Sequence, residues 1–311
     1  MCGICPGAKA LRLFYSDLYT IPLPEGHKFP MHKYGALRAA LEGDPRFEFS
    51  VSPLADREDI ELAHDPEYVR RFLEGGLSRQ EIRRIGFPWS DALVTRTLAS
   101  AGGTLAAAKE AWESGCSGAL AGGTHHAYYG EGSGFCVFND IAIGILWLRE
   151  YCGVKRAAVV DLDVHQGDGT AAIFVDDDDV YTLSVHGEKN FPLRKQVSRR
   201  DVGLVDGVQD AEYLEIVRRE LPAVFDFRPD IVFFQAGVDG LITDRLGRLE
   251  LTHQGLLARD RMVLAACLTR GIPVVITIGG GYSDPIEPTI EAHAGTFRTA
   301  AEVCDNDKSF L

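Results

Sequence analysis

Short apolar runs bounded by turn-forming or charged residues punctuate the chain at Leu11–Tyr15, Phe47–Val51, Gly118–Ala121, Arg156–Val160, Val180–Val185, Ile231–Gln235 and Pro273–Ile278. Their length and their Val, Ile and Phe content predict buried strands. Between them, apolar positions recur at helical spacing over Lys33–Glu42, Asp91–Glu113, Asn139–Tyr151, Asp210–Phe225 and Thr252–Thr269, with a last helix near Pro285–Val303. Strands alternating with helices predict an α/β fold, a mostly parallel central sheet with helices on both faces. Polar residues follow the apolar runs rather than interrupting them. In open parallel sheets, that is where ligands bind. These residues extend from His125 to Tyr282, and no Ser/Pro-rich linker or repeat separates them, so residues 1–311 read as one domain with a single extensive core.

The richest segment follows Val160: Asp161-Leu162-Asp163-Val164-His165-Gln166-Gly167-Asp168-Gly169. On a continuing strand, Asp161, Asp163 and His165 share one face, and Leu162 and Val164 the other. Two carboxylates and an imidazole at the end of an apolar strand are costly to desolvate without a cation. Their oxygen and nitrogen donors suit a borderline divalent metal such as Zn²⁺. A polar loop leaving the sheet, with Asp168-Gly169 as a turn, accounts for the same letters.

Three more strand ends carry candidate chemistry. Gly122-Gly123-Thr124-His125-His126 offers paired imidazoles, which solvated loop residues would equally explain. The run from Ile231 ends in Gly237-Val238-Asp239. The run from Pro273 ends in Gly279-Gly280-Gly281-Tyr282, which lacks the Lys-Ser/Thr of a phosphate loop and the spacing of a dinucleotide fingerprint. What it provides is close backbone approach beside one phenol.

Taken together, these segments resemble the zinc-dependent histone deacetylase family, whose fold is shared with arginase. Gly134-Phe135-Cys136-Val137-Phe138-Asn139-Asp140 and Gln235-Ala236-Gly237-Val238-Asp239 add to the match, in the family's order and across most of the chain. The segment Pro24 to Met31 looks like the bacterial and class IV-like members. The resemblance implies Asp163, His165 and Asp239 as ligands of Zn²⁺ (or Fe²⁺), with open positions for water and substrate. It implies His126 as the proton shuttle and His125 as an electrostatic partner. Asp168 and Asp161 stand behind the imidazoles, and Tyr282 donates to the substrate carbonyl.

The same resemblance places Gly134, Phe135, Phe191, Leu246 and Gly280 in a narrow acyl-lysine tunnel, although Phe135 and Phe191 also read as core aromatics. It implies an inner K⁺ held by Asp161, Asp163, His165, Ser184 and Val185, where Ser184 is otherwise an ordinary strand-end hydroxyl. One departure stands out. Pro88 occupies about the position of a rim aspartate that peptide-binding members carry, with Asp91 nearby. The activity implied is removal of acyl groups from the ε-amine of lysine in proteins or peptides. Alternatives are an acetylpolyamine or other small-amide deacylase on the same fold, and a non-catalytic acyl-lysine binder. The intact His pair and Tyr282 argue against the binder. Arginase-like chemistry needs two manganese ions and more carboxylates than these segments supply.

Composition adds limits rather than a function. The formal charge is −13 and no basic tail is present, which argues against direct nucleic-acid binding. A negative field favours cationic substrates. Asp176 to Asp179 reads as a short solvated acidic turn. The 7 cysteines are scattered, as suits a reducing compartment. Cys2 and Cys5 form a lone C-x-x-C, weak grounds for a metal, and Cys136 reads as packing. No stretch is long enough to span a membrane and Met1 to Ala10 lacks an apolar signal core, so the cytoplasm is the expected location. The oligomeric state has no signature in the sequence.

Overall fold

A computed structural model describes residues 10–307; Cys2 and Cys5 lie outside them. In chain order, β1 (Leu11–Tyr15), α1 (Lys33–Leu41) and β2 (Phe47–Val51) are followed by the short helices α2 (Arg57–Glu61), α3 (Pro66–Leu73) and α4 (Arg79–Ile85). The long α5 (Asp91–Ser114) leads into β3 (Cys116–Ala119), α6 (Asp140–Cys152) and β4 (Ala157–Asp161). Then come α7 (Asp168–Ile173), β5 (Val180–Gly187), β6 (Arg200–Leu204) and α8 (Asp210–Asp226). The last elements are β7 (Ile231–Gln235), α9 (His253–Leu268), β8 (Val274–Thr277) and α10 (Glu287–Asp307).

The strands form one 8-stranded sheet in the order β2-β1-β3-β8-β7-β4-β5-β6. Every strand pairing is parallel. Side-chain alternation divides the central strands between two cores. Ala158, Val160, Val232, Phe234, Val274 and Ile276 face α1, α8, α9 and α10. Ala157, Val159, Ile231, Phe233 and Val275 face α3, α5 and α6. Burial on both sides is why these strands read as unbroken apolar runs. Helix starts are written locally: Ser90 caps α5 through the Leu93 N–H, Asn139 caps α6 through Ala142, and Thr252 caps α9 through Gly255.

Three features differ from the pattern-based expectation. β3 starts at Cys116, two residues earlier than the apolar run, because Cys116 pairs with Val274 in the ladder. β6, Arg-Asp-Val-Gly-Leu, has no strand-like pattern. It is an edge strand with one covered side, formed because β5 offers it a full register from Leu183↔Arg200 to Gly187↔Leu204. The helices α2, α3, α4 and α7 are too short to show a helical repeat, although α4 begins with a complete Ser78/Glu81 capping box. No helix among the described residues is long and apolar enough to cross a membrane.

Candidate active site

Four adjacent central strands, β3, β8, β7 and β4, send their C-terminal ends to one place. β4 ends at Asp161, so Asp163 and His165 do not continue it as the alternation predicts. Instead the carboxylates fold the backbone: Asp161 accepts the Asp163 N–H at 3.1 Å, and Asp163 accepts the His165 N–H at 2.9 Å. The turn brings Asp163 and His165 to Asp239, which follows β7. Ligand atoms of the three lie within 4.8 Å of one another, and all three residues are buried.

Two buried carboxylates and an imidazole face one another at this cluster. Burial pushes the Asp239 carboxyl up to about 7, and the nearby Asp163 adds to the effect. The His165 imidazole lies 2.9 Å from Asp239 Oδ2 and 3.1 Å from Asp163 Oδ1. Burial alone would lower its pKa, but the two carboxylates override this and hold it up at about 10. The two carboxylates thus draw positive charge into the space between them. An O, N, O donor set of this kind fits a divalent ion. The Gly280 N–H adds a bond to Asp163 Oδ2 at 2.7 Å, and a Cβ on Gly280 would overlap the Asp239 carboxylate.

Both imidazoles of the pair have carboxylate partners. His125 Nδ1 lies 2.7 Å from Asp161 Oδ2, and His126 Nδ1 2.6 Å from Asp168 Oδ1, with the ring centroids 4.1 Å apart. Their environments push them in opposite directions. For His125 burial works against protonation, but the charge and hydrogen bond of Asp161 prevail and raise it to about 9. For His126 burial, reinforced by His125, lowers it to about 4. One ring is cationic and the other neutral at neutral pH. Asp168 also accepts the Tyr128 hydroxyl at 2.7 Å, which fixes it from a second side.

His125, His126, Asp163 and His165 line a cavity of about 700 Å³, with Asp161, Asp168 and Asp239 behind them. All five tunnel candidates, Gly134, Phe135, Phe191, Leu246 and Gly280, are in its wall, as is Tyr282. Burial keeps the Tyr282 phenol protonated, well above its ordinary range, so it is available as a donor. Phe135 adopts φ +66°, an uncommon value for a bulky residue. Its N–H donates to Ile85 O at 2.8 Å, which ties the tunnel wall to the end of α4. Cys136 is buried and burial raises its thiol, as packing rather than nucleophilic chemistry requires. Of the candidate K⁺ positions, Asp161 and Ser184 are register partners in β4 and β5, and Ser184 Oγ lies 2.9 Å from His186 Nδ1.

The mouth carries the opposite sign from the chain. Exposed Lys28, Arg83, Arg84, Lys189 and Arg248 line it, and Asp163 on the floor is the acidic residue in the cavity wall. Arg84 pairs with Glu131, and Lys189 and Arg248 share Asp206 at 3.6 and 3.4 Å. Asp91, exposed at the start of α5, does not line the cavity, and the acidic groups nearest the mouth, Glu131 and Asp206, are engaged by Arg84, Lys189 and Arg248.

Several supporting residues were given no role by the sequence, although Asp140 and Gln235 lie within matched segments. Asp140, fully buried, accepts the Gly123 and Thr124 N–H groups at 2.8 Å each and the Thr104 hydroxyl at 2.6 Å, so it holds the loop bearing the His pair. Gln235 donates to Gly123 O at 2.8 Å. Arg259 is buried beneath both ligand loops and donates to Gly237 O at 2.5 Å and Leu162 O at 3.4 Å. Asp244 accepts the backbone N–H groups of Leu246, Gly247 and Tyr282 at 2.8, 2.9 and 2.6 Å. Buried or loop-held polar residues at such positions were the available signal, but sequence alone gives no partner for them.

The histone deacetylase domain model matches residues 27–296. An uncharacterized protein of Picosynechococcus sp. is 45% identical over 93% of this chain and 98% of its own length. A probable deacetylase of Methanothermobacter thermautotrophicus is 33% identical over 88% of this chain and 86% of its own. Histone deacetylase 2 of Arabidopsis thaliana is 30% identical over 87% of this chain and 74% of its own. The chain belongs to the histone deacetylase family, and its parallel sheet is the arginase/deacetylase fold. Membership supports a hydrolase of the deacetylase type.

One prediction concerns Asp244. Replacing it with alanine strands three N–H groups at the edge of the cavity. The expected loss is about 1–3 kcal/mol, since water reaches part of the site. It is read as a lower melting temperature, together with a fall in deacetylase turnover of roughly tenfold from the displaced Tyr282. An unchanged melting temperature would show that the three bonds carry no net stability.

Proposed function

We propose that the chain is a single catalytic domain that hydrolyses the amide of acyl-lysine in proteins or peptides, with Zn²⁺ (or Fe²⁺) held by Asp163, His165 and Asp239. The observation that carries this reading is the convergence, in one cavity, of the buried Asp-His-Asp cluster, the carboxylate-backed His pair and the Tyr282 phenol. When bound, the ion supplies Lewis-acid polarisation of the acyl carbonyl and acidifies water. The neutral His126 takes a proton from the attacking water and returns it to the departing lysine amine as the C–N bond breaks. Asp168 holds the His126 tautomer that leaves Nε2 free for this exchange. The cationic His125 and the Tyr282 hydroxyl stabilise negative charge developing on the carbonyl oxygen. Phe135 and Phe191 flank the aliphatic lysine stem. A K⁺ at Asp161, Asp163, His165, Ser184 and Val185 belongs to the same reading, supported by the register that sets Asp161 beside Ser184.

The basic mouth favours this substrate class over an acetylpolyamine, whose free ammonium groups would face Lys28 and Arg83, neither of which has an ion-pair partner among the described residues. Acetyl-lysine peptides and acetylated polyamines assayed side by side test the choice, and faster turnover of the polyamines would reverse it. The chemistry is tested by Tyr282→Phe, expected to keep fold and metal content while kcat falls ~10²-fold or more. Unchanged turnover would show that another group stabilises the oxyanion.

A further inference from the structure

The cavity extends beyond the reacting groups to Tyr34, Arg96, Ser100, Gly122 and Thr124, and a side cavity of about 20 Å³ shares Arg96, Ser100 and Thr124. Arg96 and Ser100 lie one turn apart on α5, on the same face. The Arg96 guanidinium is caged by aromatic rings, its carbon 5.3 Å from the Phe29 centroid, 5.1 Å from Tyr34 and 5.9 Å from Phe87. Phe29 in turn lies 6.4 Å from the Tyr282 ring, so the cage is one ring removed from the proposed oxyanion donor.

The donors of this guanidinium are largely unused. Nε points at the Met31 sulfur at 3.3 Å, a weak acceptor, and no carboxylate pairs with Arg96 among the described residues. Its terminal nitrogens are not sealed in protein but open to the cavity. The Ser100 hydroxyl is likewise without a partner and not sealed. The Lys33 ammonium lies 5.4 Å from the Tyr34 ring and 3.2 Å from Gly279 O, again without a carboxylate. Cation–π contact explains how the rings tolerate Arg96. It does not explain a planar fork of N–H donors left without a protein acceptor in the wall of a ligand-sized space. Such a fork matches a carboxylate, with two parallel hydrogen bonds.

We propose that Arg96, with Ser100, forms a specificity subsite for acyl groups that end in a carboxylate, of the malonyl, succinyl or glutaryl kind. The proposal rests on the lysine-deacylase reading. The acyl carbonyl meets Tyr282, and the chain runs past Phe29 to the guanidinium. Hydrolysis consumes one water and releases the lysine amine and the free dicarboxylate.

The test uses the metal-loaded full chain and one peptide carrying acetyl-, butyryl-, succinyl- or glutaryl-lysine. The parent is expected to turn over succinyl- or glutaryl-lysine at least ~10-fold faster in kcat/KM than butyryl-lysine. Arg96→Met should lower the succinyl-to-acetyl ratio by ~10–10²-fold, the range of a lost charge-assisted pair. Arg96→Lys, which keeps the charge and loses the fork, should fall between and covers the case in which Arg96→Met does not fold. A parent that prefers butyryl-lysine overturns the subsite, as does an Arg96→Lys ratio equal to the parent's combined with an equal loss on all four substrates in Arg96→Met. Inhibition by free acetate that Arg96→Met relieves, without any preference for carboxylate acyl groups, would assign the guanidinium to released product and also overturns it. Turnover of acetyl-lysine alone leaves the deacylase reading standing. No turnover of any acyl-lysine by the parent removes that reading, and the subsite with it.

Discussion

Asp163→Asn and Asp239→Asn are each expected to lose the bound divalent ion and turnover together. Both carboxylates belong to the one buried O, N, O cluster among the described residues, and His165 stands between them. With three donors, removal of one leaves too few to hold the ion against water. Elemental analysis should find about one ion per parent chain and much less in either variant. A second readout does not depend on activity. An ion that binds only the folded chain stabilises it by about 2.7 kcal/mol at a hundred times its dissociation constant, so chelation should lower the melting temperature of the parent and leave the variants unmoved. Metal-free variants should still melt in one cooperative transition, which separates loss of the ion from loss of the fold. For Asp163→Asn it should lie somewhat below the metal-free parent, because Asn cannot accept both the His165 and Gly280 N–H groups. Full occupancy in a chain with Asp163, His165 and Asp239 all replaced would sink the assignment.

His126→Ala should damage kcat more than His125→Ala, by ~10²–10⁴-fold relative to the parent. The two rings are neighbours with similar carboxylate partners, yet burial and the adjacent cation leave His126 neutral while Asp161 keeps His125 charged. A neutral imidazole accepts a proton; a cationic one lends charge. Removing His126 leaves both water activation and amine protonation without a positioned partner. Removing His125 leaves Tyr282 still donating to the carbonyl oxygen. Asp161→Asn should resemble His125→Ala in direction, because it withdraws the carboxylate that holds that ring charged. kcat on one acetyl-lysine peptide, with metal content checked in each variant, decides the matter. A larger loss in His125→Ala at full occupancy means that the two roles are interchanged.

Much of this site was legible because its residues cluster at the ends of apolar strands. The runs before Asp161, His125, Asp239 and Gly279 mark four strands, and a parallel sheet places their ends on one side. The order of those strands was not legible: nothing in the letters says that β3, β8, β7 and β4 are neighbours. Strand alternation also misplaced the cause of the Asp163 and His165 geometry, since carboxylate-to-backbone bonds, not a continuing strand, turn them inward. Asp140, Gln235, Asp244 and Arg259 went unread because each acts through a backbone partner from 16 to more than 100 residues away in some of its bonds. The charge of the mouth was not legible for a different reason. A net charge sums over the whole surface, whereas Lys28, Arg83, Arg84, Lys189 and Arg248 come together only in three dimensions.

The placement of the reacting groups just beyond the ends of four adjacent inner strands bears on how the protein opens. Backbone amides at the ends of β4 and β7 bond across the ladder, and Arg259 ties both ligand loops from below. Exchange of these amides with solvent deuterium should therefore require the whole sheet to come apart, at a cost near the global stability. The wall segments that carry Lys28, Arg83, Leu193 and Arg248 lie outside that ladder and should exchange through smaller, more frequent openings. Under the proposed function, the entrance can then open locally while the metal-ligand loops stay fixed. Substitutions in those entrance segments can retune which substrates are admitted without eroding the chemistry beneath.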